Sequence, residues 1–104
     1  MEPSVGHPQD ELALFSEIVR HVIRTDGFER FSPTVFFPAR HEVRILDDLH
    51  GNDDAEHAAL NRAMERAEPG EEFLVAVKVG RLQFKVIRRQ GPDHEEALFD
   101  VDPV

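Results

Sequence analysis

Between Asp10 and Thr25, the apolar residues Leu12, Leu14, Phe15, Ile18, Val19, Val22 and Ile23 fall on one half of a helical wheel, with Glu17, Arg20, His21 and Arg24 opposite. That spacing predicts an amphipathic helix with an apolar face wide enough to cover a sheet. Pro8-Gln9-Asp10 supplies its start and Gly27 its stop. Pro33 and Pro38 bracket Thr34-Val35-Phe36-Phe37, a short β-branched and aromatic run. Proline at both ends argues for an edge position. From His41 to Leu46 the pattern alternates, Val43 and Ile45 against Glu42 and Arg44, which predicts a second short strand. Asn52-Asp53-Asp54 caps a second helix over 54–67, whose face is built from Ala55, Ala59, Leu60, Ala63, Met64 and Ala67 before Pro69-Gly70 ends it.

The clearest hairpin joins Glu72–Val79 to Leu82–Arg89 through Gly80-Arg81, because glycine at the first central position suits a type II′ turn. That turn predicts a register with Val79 opposite Leu82, Val77 opposite Phe84, Val75 opposite Val86 and Phe73 opposite Arg88. The other face then carries Leu74, Ala76, Lys78, Gln83, Lys85 and Ile87. Gly91-Pro92 breaks the strand, and Ala97 to Val101 is read as a last strand or a docking peptide. Together these elements predict an α+β two-layer sandwich of order α-β-β-α-β-β, with an antiparallel sheet of four or five strands and both helices on one face. The expected organisation is a flexible lead-in at 1–9, one domain at 10–90 and an acidic tail at 91–104, in keeping with a length of 104 residues.

Charge narrows the functional classes. The chain carries 21 acidic and 12 basic residues, a net charge of −9, which repels phosphate backbones and favours a basic protein partner. The final hairpin is nevertheless locally basic, through Lys78, Arg81, Lys85, Arg88 and Arg89. In the expected register Phe84 lies with Val77 in the core, and Tyr and Trp are absent, so no base-stacking platform for RNA is available. The basic face is expected to meet the acidic tail, Asp93, Glu95, Glu96, Asp100 and Asp102. No cysteine is present, which removes disulfides, thiolate nucleophiles and cysteine-type zinc sites and fits a reducing cytoplasm. Met1 to Asp10 has neither a basic nor an apolar leader region and no apolar run is long enough to span a bilayer, so no membrane role is expected.

No catalytic constellation emerges. Ser4, Ser16 and Ser32 lie in no nucleophile elbow, and no glycine-rich phosphate loop exists. No cofactor is called for. The densest set of ligating residues runs from Asp47 to His57, where Asp47, His50, Asp53 and His57 form a candidate divalent-metal site, although capping and the helix dipole are the favoured account of acids at a helix start. The leading expectation is a non-enzymatic protein-interaction domain, of the inhibitor, immunity-like, adaptor or complex-subunit kind, binding a basic or amphipathic partner or a second copy of itself. Its expected partner surface comprises Leu74, Lys78, Lys85, Ile87, Leu98 and Phe99. A metal-binding protein or metal-dependent enzyme centred on residues 47–57 is the alternative.

Overall fold

A computed structural model describes residues 8–80 and 82–101. Helix α1 spans Pro8–Asp26; strands β1, Thr34–Phe37, and β2, Glu42–Ile45, follow; helix α2 spans Ala55–Arg66; strands β3, Phe73–Gly80, β4, Gln83–Gln90, and β5, Asp93–Asp100, complete the chain. The strands form one five-stranded antiparallel sheet in the order β2-β1-β3-β4-β5, so the class is α+β. Helix α1 ends as expected: Gly27, at φ 93°, donates its N–H to the Ile23 carbonyl at 2.7 Å. No described helix is long and apolar enough to cross a membrane.

The two helices lie on opposite faces of the sheet, which corrects the expectation that they share one. Leu12, Phe15, Val19 and Ile23 of α1 pack with Leu74, Ala76, Phe84 and Val86. Ala59 and Ala63 of α2 pack with Phe73, Val75, Val77, Val35 and Phe37. Alternate residues of one strand point to opposite faces, so a strand whose even and odd positions belong to different cores is covered on both sides. Strand β3 is such a strand, with Phe73, Leu74, Val75, Ala76 and Val77 all buried.

The hairpin register also differs from the expected one, by one residue. Leu74 faces Arg88, Val75 faces Ile87, Ala76 faces Val86, Val77 faces Lys85 and Lys78 faces Phe84. The difference arises next to the turn. Gly80 does not adopt the positive φ of a type II′ turn; it pairs with Gln83, the ladder shifts between Lys78 and Gly80, and the left-handed residue is Leu82, at φ 61°. Arg81, the other residue of the expected turn, lies outside the described residues. The shift turns Phe84 and Val86 to the α1 face beside Leu74 and Ala76, and Ile87 to the α2 face beside Val75.

Residues from Asp93 form an eight-residue strand paired with β4 along its whole length, so the acidic tail supplies the sheet's second edge. Because Ile87 is fully buried here, Ile87→Ala is expected to cost about 2–5 kcal/mol in urea unfolding. Val79→Ala, at an exposed position, should stay within about 0.5 kcal/mol. An Ile87→Ala effect as small as that of Val79→Ala contradicts the register.

Candidate functional site

The residues expected to form one partner surface are dispersed by the register. Leu74 and Ile87 are buried and face opposite sides of the sheet, so neither meets a partner. Lys78 folds back on the 3-10 turn Phe28–Arg30 that follows α1, donating to the carbonyls of Phe28 and Glu29 at 3.1 and 3.3 Å over the Phe28 ring. Phe99 stacks on Phe84 at 5.6 Å, with the Arg20 guanidinium over its outer side. Lys85 and Leu98 do remain neighbours, directly opposite on β4 and β5, and with Lys78 they line an open groove of about 560 Å³ on the α2 side.

The candidate metal ligands are divided too. Asp53 and His57 line an adjoining groove of about 510 Å³ with Glu56 and Arg89. His50 instead has its Nδ1 3.4 Å from the Ser32 hydroxyl, and Asp47 begins a short 3-10 turn, Asp47–Leu49. Among the described residues no group of three or more His, Asp or Glu side chains converges on a point that could hold a metal ion. Part of the acidic run has a local use: Asp48 pairs with Arg62, and the Asn52 side chain accepts the Asp54 N–H at 2.7 Å at the start of α2.

A chain of charged groups closes the α2-side groove. The Lys85 ammonium sits between Glu56 at 3.1 Å and Glu96 at 3.2 Å; Glu96 contacts His94 Nε2 at 2.7 Å, and Arg89 Nε donates to His94 Nδ1 at 3.0 Å. Arg89 Nε has only a proton to offer, so His94 Nδ1 must present its lone pair and Nε2 must carry the hydrogen that Glu96 accepts. Burial pulls the Lys85 pKa down, but the two carboxylates outweigh it and hold the ammonium above its ordinary value. Glu96 is lowered, first by His94 and then by Lys85. Lys85 therefore keeps its proton and has no lone pair for nucleophilic or base chemistry. The groove is a clasp that ties α2 to β4 and β5.

The opposite flank is different in kind. Helix α1 packs on β3, β4 and β5 and reaches β1 through Phe15 on Phe36, while on the same face of β2 Val43 and Ile45 stay exposed. Two contacts orient it: Arg20 reaches the Asp100 carbonyl on the β5 side, and Phe15 stacks on Phe36 at 5.5 Å on the β1 side. Ile18 and Leu14 continue the Phe15 side outward. On the floor, Val43 faces Phe36 and Ile45 faces Thr34, on the side turned towards α1. Leu14, Ile18, Val43 and Ile45 are 66%, 43%, 52% and 55% exposed, and they stand along a sheet edge with no further strand. The sequence signal for this flank was the Val43 and Ile45 alternation, which reads as a core-facing strand until the position of α1 is known.

Beside that edge, Arg40 forms a forked pair with Glu71, at 2.7 and 2.5 Å, lies over the Phe37 ring at 4.5 Å, and donates to the Arg66 carbonyl at the end of α2. Compared with known proteins, the chain matches no family model, no curated protein and no solved structure.

Arg40, with the Glu68 N–H, holds the Glu71 carboxyl at about 2, below its ordinary 4.5. A carboxyl lowered on folding contributes stability that is present above about pH 4.5 and is lost as pH falls through about 2. Acid titration of unfolding should therefore show that loss in the wild type and a flatter profile for Glu71→Gln over the same window. Identical profiles contradict the role of the pair.

Proposed function

We propose that this chain is a non-enzymatic protein-interaction domain that receives an amphipathic helix of a partner protein along the flank between α1 and the edge strand β2. The observation that carries the reading is the exposed flank of Leu14 and Ile18 on α1 and Val43 and Ile45 on the edge strand β2. The α1 flank supplies one wall and Phe36, Val43 and Ile45 the floor, so an incoming helix would pack on the sheet alongside α1 and bury these apolar groups.

The polar face of that helix is basic in this reading, because the chain carries a net charge of −9 and draws a cationic segment from a distance. This keeps the expected partner chemistry and moves its surface from the β3–β4 hairpin to the α1–β1–β2 flank. No observation favours the metal-dependent alternative over it.

The test begins with the oligomeric state of the purified chain, followed by capture of its partner and calorimetry of the purified pair. Val43→Lys and Ile18→Lys should each weaken binding by about a hundredfold, roughly 2.7 kcal/mol, without lowering the melting temperature, and added salt should weaken the wild-type complex. Leu98→Lys, on the opposite face, should leave affinity unchanged. A partner indifferent to Val43→Lys and Ile18→Lys, or a homodimer that these substitutions dissociate, overturns the assignment of a basic helix to this flank.

A further inference from the structure

On the other face of the same strands, independent of the open flank, lies a pocket of about 210 Å³ between α2 and β1–β2. Its floor is apolar and buried: Val35, Phe37, Leu46 and Ala63. Its rim is three arginines, Arg44 opposite Val35 on β2, and Arg62 and Arg66 one turn apart on α2. An acidic protein has concentrated guanidinium groups around an apolar hollow.

The carboxylates at this corner do not match the arginines one for one. A single oxygen, Glu42 Oε2, accepts Arg44 Nε at 2.6 Å and Arg66 Nε at 2.8 Å, with Arg66 Nη2 at 2.7 Å, and Arg40 approaches the same carboxylate at 3.6 Å although its own partner is Glu71. Arg62 pairs with Asp48. Glu65 and Glu68 act on the cluster only through their charge. Among the described residues, the two terminal nitrogens of Arg44 have no hydrogen-bond partner, leaving most of the donors of that planar fork unused beside the hollow.

We infer that the pocket rimmed by Arg44, Arg62 and Arg66 binds a small organic anion, a carboxylate whose compact apolar body rests against Leu46 and the methylene stems of the rim arginines. Forked donation from Arg44 would take the carboxylate, and the hollow, smaller than the range of about 300–1,000 Å³ usual for drug-sized ligands, limits the body to a short aliphatic chain or one ring.

The experiment is an amide chemical-shift titration of the full chain with hexanoate, hexan-1-ol and inorganic phosphate in parallel. Hexanoate is expected to shift residues 44–46 and 62–66 saturably, with a dissociation constant near or below about 1 mM, and more tightly than either control. Arg44→Gln, at a half-exposed position that leaves the core intact, should weaken hexanoate about tenfold while shifts outside the corner stay in place. Hexanol binding equal to hexanoate removes the arginines from the account, and phosphate binding equal to hexanoate removes the apolar floor. Either result overturns the inference, as does unsaturable binding of hexanoate or an affinity that Arg44→Gln leaves unchanged.

Discussion

Everything else in this fold depends on strand β3 being buried on both faces. Five consecutive apolar residues, Phe73 to Val77, have no solvent side, so each face needs its own cover, and the two helices divide that work. The one-residue shift at the Lys78–Gly80 irregularity follows the same constraint, because it brings Phe84 and Val86 beside Leu74 and Ala76 under α1 while Ile87 joins Val75 on the other side. A hairpin in the regular two-residue register would have faced Ala76 with Lys85 and placed Phe84 and Val86 on the α2 side, with Val77 and Val75. Packing, rather than the ideal turn, sets the pairing.

With α1 centred on β3, β4 and β5 and reaching β1 only through Phe15, the α1-side face of β2 is left exposed, and the two sheet edges become unlike. Strand β5 carries Asp93, Glu95, Glu96 and Asp100, a row of acids that discourages pairing with another strand. Strand β2 carries Val43 and Ile45 on its α1-facing side and the Glu42–Arg44 pair on the other. The protein's charge is managed locally in the same way: Lys85 is enclosed by Glu56 and Glu96, and Arg40 by Glu71, so these groups serve as fasteners between layers. Outside these fasteners β2 has an apolar flank on one side and, on the other, a hollow whose rim arginines pair with Glu42 and Asp48.

The elements were legible from the chain because each has a strong local period: α1 from its seven apolar positions, α2 from its alanine face, and the strands from β-branched runs bounded by proline and glycine. Their arrangement was not. Gly80 is compatible with a positive φ and with an extended one, so the residue type alone does not fix where the turn begins. The unbroken run Phe73–Val77 was the available sign of two-sided burial, yet alternation across the hairpin made one face seem partly open. The candidate site suffered most, since a shift of one residue moves every β4 side chain to the other face: Leu74 and Ile87 went to separate cores, while Lys85 and Leu98 stayed adjacent because their pairing belongs to β4 and β5. Asp47, His50, Asp53 and His57 were close in sequence, but the 3-10 turn and the start of α2 aim them in different directions.

The division of the two helices between the two faces is tested most directly by side-chain proton contacts measured by NMR. Val19 of α1 should show contacts to Leu74 and Phe84, Ala59 of α2 should show contacts to Val75 and Val77, and the backbone of Val77 should lie opposite Lys85. Contacts from Ala59 or Ala63 to Leu74 and Phe84, or Val77 opposite Phe84, would place both helices on one face or restore the regular hairpin, and would contradict the account.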